Sequence, residues 1–136
     1  MKKILTITVI VFVAMFILNF IVFRTLGIFN HEMLEGIISG PESRNFSLLA
    51  INYFLLSLGF TYLILKLNRD KDYGKSATIG FVAGMLLFIN YGLSNMFILP
   101  AWPVFVAVTD AIGTGVVFAL LGPLVTLLQK KFNVKS

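Results

Sequence analysis

The chain has no cysteine and a single histidine, His31, among its 136 residues. Without cysteine there is no disulfide, no thiolate nucleophile and no Cys-ligated zinc or iron–sulfur site. One histidine cannot supply a multi-histidine metal site or a bis-histidine haem within one chain. We therefore expect neither a metal nor a cofactor.

Charge is also scarce, since 12% of the residues are charged and 58% are hydrophobic. The mean hydropathy of +0.94 is far from that of a soluble domain. The hydrophobic residues form four blocks, each about as long as the roughly 20 residues with which a helix crosses a bilayer. We predict an all-α fold: a single domain, residues 1–136, built as a four-helix transmembrane bundle with the lipid bilayer as its solvent.

The four predicted spans cover about residues 4–23, 48–65, 77–99 and 103–128. The first follows two lysines, as the core of a secretory signal would. It exceeds the usual 7–15 residues of such a core, and no Ala-x-Ala-like site follows, so we predict a span that is retained. The fourth is longer than a straight crossing requires, and Pro123 is expected to kink it.

Basic residues give these spans a direction. Arg24 and Arg44 are the only ones in the loops predicted on one side. By the positive-inside rule the crowded side is cytoplasmic, and four crossings place both termini there. Because the basic residues flank apolar blocks, the net charge of +5 favours contact with anionic lipid headgroups over nucleic acid. The crowded side holds Lys2, Lys3, Lys66, Arg69, Lys71, Lys75, Lys130, Lys131 and Lys135.

The loop between the first two spans is the one long connection. Asn30 could cap a short helix there, ended by Gly40 and Pro41. Its apolar side chains would share one face, as in a helix lying in the outer membrane interface. An ordinary covering loop is the alternative. The residues of the apolar face are Met33, Leu34, Ile37 and Ile38.

The third and fourth spans are joined by a tight turn that contains Trp102 and Pro103. We expect Trp102 to anchor the turn at the headgroup level. Before the turn, Gly80 and Gly84 have the small-xxx-small spacing that lets helices approach closely. We expect their face to meet the face of the fourth span that carries Asp110, Gly113 and Thr114, and we favour packing within the chain over dimerisation.

All four spans bring amide, phenol, hydroxyl or carboxyl groups to the predicted outer half of the membrane. A carboxylate at the centre of a transmembrane helix costs about 2.5–3.5 kcal/mol on insertion scales, so Asp110 should face the bundle or a wet cavity and find donors. We predict a ligand-binding site here. Its candidate residues are Asp110, Asn95, Tyr91, Asn90, Asn52, Tyr53, Ser94 and Asn19.

Each of these residues has a structural alternative. Asp110 could couple protons, bind a cation or act as a catalytic acid, or it could be a fixed acceptor that holds the third and fourth spans together. The asparagines could have only a structural role, forming hydrogen bonds between helices. Tyr53 and Tyr91 could contribute only aromatic packing.

The segment Tyr91-x-Leu93-Ser94-Asn95-x-x-x-Leu99-x-x-Trp102-Pro103, followed by Asp110, resembles the signature of the domain-of-unknown-function 2177 family of small bacterial membrane proteins. Gly80, Gly84, Tyr53 and Gly59 also have similar spacings. The resemblance implies the four-span topology and the bacterial cytoplasmic membrane, and it implies no activity.

The sequence departs from that family at three places. The family often has acidic residues where this chain has Gly92 and Asn19, and a Trp-Gly pair where Ala111-Ile112-Gly113 follows Asp110. Any chemistry that needs those acidic partners would be altered in this chain.

Three functions remain open. The first is binding or transport of a small molecule or ion at Asp110, which in so small a chain implies a homodimer or a larger assembly. The second is an accessory or structural subunit of a membrane complex, bound through the glycine faces. The third, a lipid-modifying enzyme, is the weakest, because the sequence has no paired carboxylates, no Ser/His/Asp set, no HExxH and no phosphate loop. Such an enzyme would use Asp110 as its acid or base near the outer headgroups.

Overall fold

The structure, a computed structural model, describes residues 2–25, 46–99 and 101–134, and they form four long helices. These are α1 (Lys2–Thr25), α2 (Phe46–Leu67), α3 (Tyr73–Ile98) and α4 (Val104–Lys131). All four are long and apolar enough to cross a membrane. The predicted four-helix transmembrane fold is confirmed, and the limits of the predicted spans lie within four residues of the ends of these helices. The short interfacial helix predicted at Asn30 to Gly40 lies outside the described residues.

The helices run alternately up and down. Phe16 in the second half of α1 stacks on Tyr53 in the first half of α2, with ring centroids 4.6 Å apart, as expected of antiparallel neighbours. Phe60 of α2 lies edge-on against Phe118 of α4 at 4.7 Å, and the two helices run parallel. α4 contacts all three other helices, whereas α3 packs extensively on α4 and only marginally on α2.

This arrangement gives the bundle two distinct ends. The end where α2 and α4 begin carries Trp102 and Arg24, and we call it the Trp102 end. At the other end, here named the basic end, Lys130 places its ammonium 4.0 Å above the ring centroid of Tyr73 and so joins the ends of α3 and α4. The basic residues described at the basic end are Lys2, Lys3, Lys66, Arg69, Lys71, Lys75, Lys130 and Lys131.

The tight junction of α3 with α4 depends on glycine. A β-carbon at Gly80 would overlap the carbonyl group of Phe118, and one at Gly122 would overlap the carbonyl group of Ser76. At Gly84 it would lie 2.7 Å from the carbonyl oxygen of Thr114. The backbones of the two helices are therefore in direct contact along several turns, which is how helices without a hydrophobic driving force gain packing energy in lipid.

The apolar core lies on the other side of α4. Phe118 and Leu121 of α4 pack there with side chains from α1 and α2. α3 supplies no fully buried member of this cluster among the described residues; it contributes close backbone contact instead. The remaining buried members include Ile7, Val11, Met15, Phe60, Ile64, Val117 and Val125.

Gly80→Ala tests the close contact. Although alanine favours helix by up to about 1 kcal/mol over glycine, the added methyl group must push α4 away, and overpacking of this kind typically costs about 1–3 kcal/mol. We expect Gly80→Ala to lower the free energy of unfolding, measured in mixed micelles with increasing denaturing detergent.

Gly59→Ala is the matched control, because a β-carbon at Gly59 meets nothing within 4 Å. The same substitution should there leave stability unchanged or raise it slightly. Equal stability of the two variants would contradict the backbone contact at Gly80.

Candidate functional site

Asp110 lies on the side of α4 that faces the core. It continues, toward the Trp102 end, the face formed by Gly113, Val117 and Leu121, which follow at helical steps of three and four residues. Val117 and Leu121 are fully buried, and Asp110 is half-buried. Six residues of helix separate it from Val104, or about 9 Å of rise. The carboxylate thus lies within the span, above the apolar core.

No described residue forms a hydrogen bond or an ion pair with Asp110. The amide groups expected to pin it have other environments. Asn95 is half-buried, and its Nδ2 is buried without a partner among the described residues. Asn19 donates from its Nδ2 to the carbonyl oxygen of Met15, 2.9 Å away in its own helix. A fixed-acceptor role for Asp110 would require such donors, and no described residue donates to its carboxylate.

Seven of the eight predicted polar residues fall into two sets; Asn95, half-buried on α3, belongs to neither. Asn19, Tyr53 and Asp110 are half-buried on α1, α2 and α4, the helices that build the core. The second set is exposed on the outside of the bundle, on α2 and α3. Its members are Asn52, Asn90, Tyr91 and Ser94. The eight residues share a level but not a single cavity.

Trp102 is more enclosed than a headgroup anchor would be. Its side chain is buried, and its ring meets that of Tyr91 edge-on with centroids 6.4 Å apart. Its Nε1 has no hydrogen-bond partner among the described residues. The tryptophan therefore packs the α3–α4 turn through its ring, while the partly exposed Tyr91 lies beside it.

Two amides at the basic end were not among the predicted site residues. Asn68 is fully buried; its Nδ2 donates to the Asp72 carbonyl oxygen and to Thr126 Oγ1, both at 2.9 Å. Its Oδ1 accepts from the Asp72 backbone N–H at 3.2 Å. Asn68 thus fixes the α2–α3 turn and ties it to α4. Gln129 is fully buried too, with neither amide atom paired among the described residues.

A sequence signal for Gln129 existed. The buried stripe of α4 at Phe118, Gly122 and Val125 reaches Gln129 at the next step of four. The predicted fourth span ended one residue short of it. Asn68 lies in the turn after α2, so no helical spacing in the sequence indicated that it is buried.

An exposed ion pair joins the turn between α2 and α3 to the first turn of α3. Lys75 donates from its Nζ to Asp70 at 2.8 Å, and this hydrogen bond lowers the pKa of Asp70. The pair is exposed, so it contributes little to stability. Asp72 instead caps α3, accepting from the Lys75 backbone N–H at 2.6 Å.

Chemically, the site centres on one carboxylate. Within residues 2–25, 46–99 and 101–134, no group of three or more His, Cys, Asp or Glu could hold a metal ion. A single half-buried carboxylate is suited to a monovalent cation, a protonated amine or a proton.

The hydrogen bond between Asn68 and Thr126 can be tested without changing side-chain shape. Thr126→Val removes the acceptor at a buried position, so we expect a loss of about 1 kcal/mol in unfolding free energy. Thr78→Val is the control, since Thr78 only donates to the Gly74 carbonyl oxygen, at 3.1 Å and in an exposed setting. The unfolding free energies of both variants are measured in denaturing detergent. An equal loss in the two would show that the hydrogen bond to Asn68 adds nothing to stability.

Comparison with known proteins supports the architecture. A family described as predicted membrane protein (DUF2177) matches residues 3–127, which include all of the predicted site residues. No curated protein and no solved structure matches the chain significantly. The match extends from the first span to the last turns of the fourth, so the chain belongs to the DUF2177 family of predicted membrane proteins.

Proposed function

We propose that this membrane protein binds a small molecule or an ion at the Trp102 end of its bundle, with Asp110 as the main ligand. The observation that carries the proposal is a half-buried carboxylate, within a span, that accepts no hydrogen bond from any described residue. Acidic residues inside transmembrane helices are costly and commonly serve a substrate, ion or proton. A carboxylate ligand favours a cation or a cationic small molecule.

The surroundings of Asp110 fit binding better than free passage. Below it the bundle is filled by Val117 and Leu121 of α4, packed with Val11 of α1 and Ile64 of α2. The hydrogen-bonding groups buried between the two ends of the bundle are single hydroxyls, among them those of Ser57, Thr61 and Thr114. Transport would therefore require either a rearrangement of α4 against α1 and α2 or a pathway completed by a second copy or another subunit.

The proposed orientation places the basic end in the cytoplasm of a bacterial cell, with Asp110 in the outer half of the cytoplasmic membrane. Eight basic residues of the described ranges lie at the basic end, against Arg24 at the other. The site would then receive its ligand from outside the cytoplasm.

A substitution at Asp110 tests the binding proposal. Purified protein in detergent is heated with sodium, potassium or choline chloride at constant ionic strength. We expect at least one of these cations to raise the melting temperature, since a ligand at 100 times its dissociation constant stabilises the folded state by about 2.7 kcal/mol. Asp110→Asn should abolish that increase.

The matched control is Asp70→Asn, which makes the same chemical change at an exposed carboxylate of the basic end. It should keep the cation response of the wild type. If Asp110→Asn responds to every cation as the wild type does, Asp110 is not the ligand, and the accessory-subunit hypothesis gains.

Orientation can be tested with single cysteines, because the chain contains none. Ala101→Cys, exposed at the Trp102 end, and Asp70→Cys, exposed at the basic end, are expressed separately in bacterial cells. We expect a membrane-impermeant maleimide to label Ala101→Cys in intact cells, and Asp70→Cys only after the membrane is opened. The reverse pattern would invert the topology.

A further inference from the structure

The weak contact between α2 and α3 leaves a crevice on the side of the bundle. It has a volume of about 260 Å³, and its walls are apolar. Leu56 and Gly59 of α2 face Ala83 and Leu87 of α3, and Phe118 of α4 lies at its base. Gly59 opens it, since nothing lies within 4 Å of a β-carbon built there. The crevice lies in the middle of both spans, outside the Asp110 site, and the core residues Phe60 and Phe118 form part of its wall.

Polar side chains continue this crevice toward the Trp102 end. On α2, Asn52 precedes Gly59 by seven residues, and on α3, Asn90 follows Ala83 by seven. Seven residues are two helical turns, so each asparagine lies on the crevice face of its helix, about 10 Å from the apolar centre. Ser94 lies one further turn along α3. All three side chains are exposed.

We propose that this crevice binds a membrane glycerophospholipid. One acyl chain fills the apolar part beside Gly59 and Ala83, and Asn52, Asn90 and Ser94 hydrogen-bond the ester and headgroup oxygens nearer the membrane surface. The crevice is apolar in the middle of the span, and hydrogen-bonding groups lie two turns toward one end. A phospholipid has the same order of groups, with an apolar acyl chain followed by ester and headgroup oxygens.

The width of the crevice distinguishes a lipid from a helix. The lining residues Leu55 and Leu63 are separated by about 12 Å of helical rise. The centre of a water molecule can occupy about 260 Å³, which over that length is a cylinder about 5 Å across. With the radius of the water molecule added on each side, the crevice is about 8 Å wide. A partner helix with its side chains is about 10–12 Å in diameter. An extended acyl chain therefore fits without separating α2 from α3, and a second transmembrane helix does not.

Photocrosslinking tests the proposal on the full chain. The protein is reconstituted in vesicles of phosphatidylethanolamine and phosphatidylglycerol that contain phosphatidylglycerol with a diazirine in the middle of one acyl chain. After irradiation, adducts are mapped by mass spectrometry. We expect them to concentrate on residues 55–63 and 83–87, severalfold above exposed positions on α1 such as Val13.

Gly59→Phe should fill the crevice and lower adducts on residues 83–87 at least fivefold, while Val13→Phe, which adds the same ring at an exposed position of α1, leaves them unchanged. Asn52→Leu combined with Asn90→Leu alters only exposed side chains and should reduce the lipid retained on purification. Adducts spread evenly over all exposed helix faces, or adducts on residues 83–87 that withstand both Gly59→Phe and the double variant, would overturn the proposal. Loss of a dimer in Gly59→Phe with unchanged adducts would identify a second copy as the occupant instead.

Discussion

The structure depends on the direct backbone contact between α3 and α4. Gly80 and Gly84 bring α3 against the Phe118 and Thr114 carbonyl groups, and Gly122 brings α4 against Ser76. In lipid, apolar side chains gain little by leaving the solvent, so close packing and polar contacts must hold helices together. The glycines provide that packing over most of the length of both spans, and they set the register in which all other groups of the two helices lie.

The other side of α4 follows from that contact. One face of α4 lies directly against the backbone of α3. The large side chains of α4 therefore pack on α1 and α2, where Phe118, Leu121 and Val117 build the core. Asp110 lies at the Trp102 end of the core-facing side, and Gln129 is buried near the basic end. One helix thus carries both polar groups of greatest interest, separated by an apolar layer.

Because α3 packs closely on α4 and only marginally on α2, part of the face of α3 that is turned toward α2 stays uncovered. A helix that packs extensively on one neighbour and only at its edge on another leaves a lateral gap, here about 260 Å³ in volume. The exposed Asn52 of α2 and Asn90 of α3 lie two helical turns from the middle of this gap toward the Trp102 end, whereas Asp110 belongs to the core side. The polar residues of the predicted outer half are therefore not gathered in one place: Asp110 lies on the core side, and Asn52 and Asn90 are exposed on the outside of the bundle.

The sequence by itself determined the number of spans, their approximate limits and the level of each polar residue. Block length and charge placement are sufficient for this, because the bilayer fixes how long a span must be and where charge can lie. Which helix faces which was decided only by the tertiary structure. Helical steps showed that Gly80 and Gly84 share a face, but not that Asn90 is exposed on the outside of the bundle or that Trp102 is buried. In water, the polar face of a helix shows which side turns outward; a helix in lipid is apolar all round, so its rotation about its own axis is set by packing against its neighbours.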